Sequence, residues 1–181
     1  MTHEFTNAIS KTHQPIVLEP SEYFDLSDKQ QYQYIVASWK DCQERKHIID
    51  SVNDFGVDLV TYVDDTVQLG SIPQCEIGPG TFVFPFCSLS IGCNIGRHCI
   101  IASHSHIGHY CELGQGCILR PGVIIVDESK IGNHCIFNLR STVSDQAVIC
   151  DHVVVMGFSA VTKNISQTGR YIGTPARLIK N

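Results

Sequence analysis

The chain has 181 residues, of which 43% are hydrophobic and 17% charged, and its formal net charge is −5. These values are typical of one globular domain with at most a small appendage, and the acidic balance argues against a nucleic-acid partner, which requires a basic face. No window approaches 18 consecutive apolar residues, and the N-terminus "MTHEFTNAISKTHQP" lacks the regions of a secretory signal, so we expect a cytoplasmic chain without a membrane span.

The first third of the chain predicts a short tail and then a small α/β segment. Residues 1–14 are polar and are predicted to form a mobile tail. Within residues 15–62, "YQYIVAS" predicts a strand, "KDCQERKHIIDSVNDFG" a helix ending at Gly56, and "VDLVTYV" a second strand. The order of these elements is β-α-β.

A strict period of six residues organises the rest of the chain. Fifteen consecutive hexads carry an apolar residue at the same position, namely Ile77, Val83, Leu89, Ile95, Ile101, Ile107, Leu113, Leu119, Ile125, Ile131, Phe137, Val143, Ile149, Val155 and Val161. Two positions earlier, every hexad has a small or β-branched residue, from Cys75 to Ser159. Glycine follows the apolar residue at Gly78, Gly96, Gly108, Gly114 and Gly132. We attribute these glycines to corners whose backbone conformation penalises a Cβ atom. A helix would repeat near 3.6 and an alternating strand at 2, so the pattern fits neither.

The period predicts a three-sided prism in which each hexad is one short strand and its turn. Three hexads make an 18-residue coil, and successive coils stack at the strand spacing of ~4.8 Å. Each buried aliphatic side chain contributes on the order of 1.5 to 3 kcal/mol, so the stacked columns stabilise a rod that no single coil would stabilise alone. With a weaker lead-in pair at Val63 and Leu69, displaced by a two-residue insertion, the prism spans residues 63–166 in about five coils. Residues 167–181 are expected to form a C-terminal tail.

The cysteines follow the same period. Seven of the nine, all except Cys42 and Cys150, fall in the small-residue position, where a thiol packs as a small hydrophobe. We therefore predict buried, free thiols. The alternative is a zinc site or a row of disulfides, but side chains that all point inward from one column lack the tetrahedral spread that zinc prefers.

The hexads and the stretch "SHIGHYCELGQG" resemble the hexapeptide-repeat acyltransferases, and most closely the NeuD/PglD-type sugar O-/N-acetyltransferases. The resemblance covers residues 77–166 and implies a left-handed parallel β-helix, acetyl-CoA as co-substrate, a sugar acceptor and a homotrimer. In this type a Rossmann-like domain precedes the prism and holds the nucleotide of a UDP-sugar. Only the later half of such a domain is similar here, so residues 15–62 are the possible acceptor-binding part.

The resemblance also implies a catalytic base, His109, which would take the proton of the attacking hydroxyl or amine. An imidazole suits this work because it titrates near neutral pH. The alternative is a surface histidine on a turn, which is how we interpret His104 and His106. In the bacillosamine acetyltransferases a glutamate follows the base, whereas this chain has Tyr110. Asp127 lies at the same corner as His109, one coil further along the chain, so it could orient the imidazole instead.

The end of the chain predicts the binding region for coenzyme A. Residues 153–181 contain no acidic residue and four basic ones, Lys163, Arg170, Arg177 and Lys180, which would attract phosphate groups. A solvated basic tail is the alternative. "GFSAVTKNI" and "IGTPARLIK" are similar to the closing segments of the family. By resemblance, the backbone at Ile118, Leu139 and Gly157 would contact the pantetheine arm and the thioester.

Two other functions stay open at this point. A trimeric β-helix scaffold without catalysis would fit the replaced glutamate and the shortened N-terminal segment. A metal site like that of the family's carbonic anhydrase branch would use His104 and His109, which are five residues apart, but its third histidine is missing from "TVQLGS" two coils upstream.

Overall fold

The structure is a computed structural model that describes residues 45–50 and 59–179. In this part of the chain, helix α1 (residues 45–50) is followed by nineteen short strands. In chain order the strands are β1 (Tyr62–Val63), β2 (Gln68–Leu69), β3 (Glu76–Ile77), β4 (Phe82–Val83), β5 (Ser88–Leu89), β6 (Asn94–Ile95), β7 (Ile100–Ile101), β8 (His106–Ile107), β9 (Glu112–Leu113), β10 (Ile118–Leu119), β11 (Ile124–Ile125), β12 (Lys130–Ile131), β13 (Ile136–Phe137), β14 (Thr142–Val143), β15 (Val148–Ile149), β16 (Val153–Val155), β17 (Ala160–Val161), β18 (Gly169–Ile172) and β19 (Arg177–Leu178).

From β1 to β17 every third strand belongs to the same sheet, so the chain winds around three sides. Sheet 1 has the order β1-β4-β7-β10-β13-β16-β18-β19, sheet 2 contains β2, β5, β8, β11, β14 and β17, and sheet 3 contains β3, β6, β9, β12 and β15. From β1 to β18 the pairing is parallel and joins equivalent positions of successive coils, as in Ile118↔Ile100. The lead-in pair at Val63 and Leu69 supplies β1 and β2, so the described coils number about six rather than five.

The core consists of the predicted hexad positions. From Val83 to Val161 every apolar hexad residue is buried, and Ile77 is half-buried at the first full coil. The small-residue position is buried in all fifteen hexads, from Cys75 to Ser159. The second strand residue of each hexad therefore points inward, as the period of six predicts.

Three corners join the sheets, and each of them recurs once in every coil. Corner A joins sheet 1 to sheet 2 (residues 84–87 and equivalents), corner B joins sheet 2 to sheet 3 (90–93), and corner C joins sheet 3 to sheet 1 (78–81). The third turn residue has a positive φ, as at His98 (58°) and Gly116 (67°).

The glycines that follow the apolar residue serve a different purpose from the predicted one. They are not the residues with positive φ. A Cβ atom at Gly96 would instead lie 2.7 Å from the backbone nitrogen of Gln115 in the next coil. These positions lack a side chain because adjacent coils approach each other closely there, and not because of their own backbone conformation.

The outward faces of the three sheets differ in polarity. Sheet 1 presents a buried apolar row that includes Ile100, Ile118 and Ile136. Sheet 3 presents exposed polar residues, among them the ion pair of Lys130 Nζ with Glu112 Oε1 at 2.9 Å. Sheet 2 is mixed and partly exposed.

The chain before the prism overlaps only partly with the predicted α/β segment. The tail at residues 1–14 and the strand "YQYIVAS" lie outside the described residues. Helix α1 falls within the predicted helix. The second predicted strand is seen only as β1, which pairs in parallel with β4 and so belongs to the prism. Among the described residues, no helix is long and apolar enough to cross a membrane.

The C-terminal segment differs from the expected tail. β18 pairs in parallel with β16 and extends sheet 1, and β19 folds back antiparallel on β18. Tyr171 of β18 is buried against the last coil, so this hairpin closes the end of the core.

Candidate active site

His109 lies at corner B, directly after the inward Ile107 of β8 and Gly108. Its side chain is 51% exposed, as expected for an outward corner residue. Asp127 occupies the equivalent position one coil along, and its side chain is 48% exposed. Both side chains are therefore open to solvent and to a ligand.

The predicted proximity of these two residues is confirmed. Nδ1 of His109 lies 3.2 Å from Oδ1 of Asp127. The same Oδ1 accepts the backbone N–H of His109 at 2.7 Å. These interactions, the backbone hydrogen bond above all, lower the pKa of Asp127, so its carboxylate is charged throughout the range in which histidines titrate.

The backbone bond of Asp127 is a repeated structural device. The N–H of Gln115 donates to Oδ1 of Asn133 at 3.0 Å, and the N–H of Asn133 donates to Oδ1 of Asp151 at 2.8 Å. In each case the acceptor oxygen occupies the space of a missing Cβ, at Gly114 and Gly132 respectively. Oδ1 of Asp127 likewise occupies the space that a Cβ atom on Gly108 would need. One function of Asp127 is thus to join two coils, and its contact with an imidazole comes in addition.

The imidazole contact gives His109 the form that a base requires. When Nδ1–H donates to the carboxylate, the neutral ring carries its lone pair on Nε2. The charged partner also stabilises the imidazolium that forms after proton uptake. The pair can therefore accept a proton at Nε2 while the ring orientation is held from the other side.

Tyr110 lies on the opposite side of the corner from Asp127. Its N–H donates to the carbonyl of Ile91 at 3.0 Å, and its ring covers Gly92 in the preceding coil, where a Cβ would be 2.6 Å from the ring. Asp127 belongs to the following coil. Asp127 is therefore the carboxylate that contacts the imidazole, while the roles of both residues stay predictions.

The two neighbouring histidines occupy different surroundings. His104 lies at corner A and stacks on Phe86, with ring centroids 5.2 Å apart. His106 is half-buried on the outward face of sheet 2, paired with Ser88 and Ile124. Its charge contributes to the lowered pKa of Asp127, which puts it near the candidate site.

Most of the residues predicted to bind coenzyme A lie near the C-terminal end of the prism. Leu139 and Gly157 are neighbours at corner A, where a Cβ on Gly157 would lie 3.2 Å from the Leu139 carbonyl oxygen. Lys163 and Arg177 are exposed, the first after β17 and the second in β19. Their roles in binding the cofactor stay predictions.

Ile118 lies apart from these residues. It is fully buried in the middle of sheet 1, and its N–H donates to the carbonyl of Cys135 at 2.9 Å. The surface at Ile118 is therefore closed in a single chain.

A single chain does not bring the two halves of the predicted site together. His109 is at corner B, whereas Leu139 and Gly157 are at corner A, so the two groups lie at opposite edges of sheet 2.

The cysteines take the predicted positions. Cys93, Cys99, Cys111 and Cys117 are buried and free, as are the other three of the column. Among residues 45–50 and 59–179, no group of three or more His, Cys, Asp or Glu side chains is arranged to hold a metal ion.

The sequence analysis did not predict the hydrogen bonds that Asp127, Asn133 and Asp151 accept from backbone N–H groups of the preceding coil. A signal for them exists, because each is an Asp or Asn that follows a glycine by one coil plus one residue. The glycines concerned are Gly108, Gly114 and Gly132.

The three parallel sheets define a β-helix, and the fold class predicted from the hexads, a left-handed parallel β-helix, is confirmed by comparison with solved structures. The chain is similar to a perosamine N-acetyltransferase from Caulobacter crescentus, solved with CoA and GDP-perosamine, with a TM-score of 0.84 and 20% identity over 92% of this chain and 78% of that one. It is similar to the acetyltransferase domain of PglB from Neisseria gonorrhoeae, solved with acetyl coenzyme A, with a TM-score of 0.82 and 18% identity over 94% and 81% of the two chains.

WeeI from Acinetobacter baumannii is a more distant match, with a TM-score of 0.56 and 22% identity over 77% of this chain and 67% of that one. No family model matches the sequence, and no curated protein matches it either.

Proposed function

We propose that this protein is an acetyl-CoA-dependent O- or N-acetyltransferase that acts on a sugar, specifically a nucleotide-linked amino sugar of bacterial glycan biosynthesis. The observation that carries the proposal is the exposed His109–Asp127 pair on a left-handed β-helix. The similar structures from Caulobacter and Neisseria were solved with CoA or acetyl-CoA, and the first also with a nucleotide-linked sugar. They support the same donor and acceptor class here.

In the proposed reaction, binding holds the acceptor and the thioester together, and His109 acts as general base. The acceptor's hydroxyl or amine attacks the carbonyl carbon while Nε2 of His109 takes its proton. Backbone amides stabilise the oxyanion of the tetrahedral intermediate. Its collapse breaks the C–S bond, and the imidazolium returns the proton to the departing CoA thiolate. This route needs no acyl-enzyme, and the inward cysteines, which are buried, are poorly placed to form one.

The donor would bind near the C-terminal end of the prism. The exposed Lys163 and Arg177 supply positive charge for the phosphates of CoA, and the exposed Leu139 and the adjoining Gly157 offer an apolar surface and an accessible backbone for the pantetheine arm. Ile118 could contribute backbone contacts only if its covering moved.

A homotrimer would complete the site. Because His109 and the CoA-binding residues lie at opposite edges of sheet 2, the base of one protomer would act on the thioester held by the next. Exposed apolar residues at corner A, including Phe86 and Phe158, support burial of this edge. Light scattering at micromolar concentration should give three times the chain mass, and a monomer would contradict the shared site.

The decisive test is transfer of radiolabelled acetyl groups from acetyl-CoA to a panel of UDP-, dTDP- and GDP-linked amino sugars. We expect label in at least one product, and its loss in His109→Gln. A chain that binds CoA but labels no acceptor would favour the rival function, a trimeric scaffold without catalysis. Localisation to the cytoplasm, where such sugars are made, is part of the proposal.

A further inference from the structure

A second candidate site lies at corner C, away from His109. A cavity of about 250 Å³ separates helix α1 from this corner. Its walls are formed by Ile49, Asp50, Arg97, His98, Gln115, Gly116 and His134. A single buried water needs only roughly 10 to 15 Å³, so the space admits a small molecule.

The cavity is built into the repeat. One turn position in successive coils holds Gly80, His98, Gly116, His134 and His152. A Cβ atom on Gly80 or Gly116 would collide with the ring of the next histidine along the column. The ring of His134 also stacks on that of His152, with centroids 5.4 Å apart. The absence of a side chain at Gly80 and Gly116 thus makes room for the rings of His98 and His134. Gly116 also lines the cavity together with these two histidines.

His98 supplies an independent sign that the cavity has an occupant. Its side chain is only 6% exposed, and neither Nδ1 nor Nε2 has a hydrogen-bond partner in the described part of the chain. Buried polar groups in folded proteins are nearly always paired. Two unpaired ring nitrogens at the wall of a cavity therefore indicate a hydrogen-bonding ligand or water.

The charges around the cavity favour an anion. Arg97 lines it, and the buried Arg45 donates from its guanidinium to the carbonyl of His98 at 2.9 Å. Asp50 also lines it, but its carboxylate is paired with Lys46. Positive charge therefore predominates among these side chains.

The same surroundings act on the histidines. Burial, followed by Arg97 and Arg45, lowers the pKa of His98 to about 4, with Asp50 opposing and His134 adding to the effect. Burial, followed by His152 and Lys46, lowers the pKa of His134, against Asp151 and Asp50. Both rings are therefore neutral near pH 7, and each offers one donor and one acceptor nitrogen.

We propose that this cavity is a binding site for a small oxyanion, a phosphate or carboxylate group, held by Arg97 and the ring nitrogens of His98 and His134. The negative charge of the ligand favours the protonated rings, so binding takes up a proton and tightens as the pH falls. The site does not depend on acetyl transfer, and its test has a separate readout.

The test uses the full chain labelled with 15N in its histidine rings, titrated with inorganic phosphate and, separately, with acetate at about pH 6 and about pH 8. We expect saturable shifts of the His98 and His134 ring signals, with tighter binding at the lower pH by at most roughly tenfold per pH unit and proton. Saturation by phosphate alone identifies a phosphate group, and saturation by acetate alone a carboxylate. No response to either anion at millimolar concentration would show a water-filled cavity and overturn the proposal.

Matched variants locate the binding. Arg97→Gln changes an exposed side chain, so the variant should fold normally. Its affinity for the anion should fall by about tenfold or more, the usual contribution of a hydrogen bond to a charged group. His134→Gln should do the same. His152→Gln is the control, because His152 stands in the same column but does not line the cavity. Equal affinity in Arg97→Gln and the unchanged chain would place the anion elsewhere.

Discussion

Corners B and C contain the same inter-coil hydrogen bond, from a backbone N–H to an Asp or Asn oxygen of the next coil, but in different surroundings. At corner C, Asn133 accepts the N–H of Gln115 and Asp151 accepts that of Asn133, and these bonds join coils. At corner B, Asp127 accepts the N–H of His109 and also contacts its imidazole. The proposed site at corner B therefore uses an inter-coil bond that the repeat also makes elsewhere, with His109 at the position that Gln115 holds at corner C. Removing the imidazole should therefore abolish chemistry without loosening the coils.

The largest expected effect comes from His109→Ala. We expect kcat to fall by on the order of 10²- to 10⁴-fold, the usual worth of a general base, while the unfolding midpoint and CoA affinity stay unchanged. The inter-coil bond survives because it uses the backbone N–H. Acetyl-transfer kinetics and urea unfolding measure both. The matched control, Gln115→Ala at corner C, should leave activity unaltered, and equal activity of the two variants would move the base to another residue.

Gly108→Ala should disturb both the inter-coil hydrogen bond at corner B and the contact of Asp127 with the His109 imidazole. The added Cβ collides with Oδ1 of Asp127, and overpacking of this kind costs about 1 to 3 kcal/mol in the free energy of unfolding. Gly114→Ala meets Asn133 at 2.8 Å and should destabilise the chain to a similar extent. Only Gly108→Ala should lower kcat/KM of the folded enzyme, because only there does the displaced residue orient a base. Equal kinetic losses would contradict the comparison.

Asp127→Asn removes the negative charge beside His109 but keeps a side-chain oxygen that can accept the inter-coil hydrogen bond. Asn133 makes the same inter-coil bond, so an asparagine at position 127 should retain it. The carboxylate would stabilise the imidazolium that forms in the reaction, so its loss should reduce kcat/KM on the order of tenfold. Tyr110→Phe should cost less. An unaltered kcat/KM in Asp127→Asn with a large loss in Tyr110→Phe would assign the orienting role to the tyrosine.

The smallest effect is expected from Cys111→Ser, inside corner B. Sγ of Cys111 points at the carbonyl of Val126 at 3.1 Å, and Ser129 in the next coil donates to the carbonyl of Ser144 at 2.8 Å. A serine at position 111 can therefore make the bond that its neighbour makes. Stability should change by no more than about 1 kcal/mol, with activity retained. Loss of a stoichiometric zinc ion on this substitution, seen by elemental analysis, would revive the metal hypothesis.

The repeat could be predicted from sequence because its signal is local and redundant. Each of the fifteen hexads reports the same inward position, so the burial of Ile107, Ile125 and Cys111 follows from the period alone. The nearness of His109 and Asp127 follows too, since they occupy the same position in successive coils of three hexads each. What the sequence could not predict is which way a corner side chain turns, and Tyr110 and Asp127 indeed lie on opposite sides of His109.

By itself, the sequence of this protein determined the coil length, the inward columns and the free thiols, because these depend on a hydrophobic period that each hexad carries within itself. Only the tertiary structure decided why glycines such as Gly108 and Gly114 recur, since the reason is the close approach of the next coil and its Asp or Asn oxygen. It also decided that residues 167–179 close the core as a hairpin, and that His98 and His134 line a cavity under helix α1. Contacts between a repeat and the segments around it have no period, so they are set by packing in three dimensions.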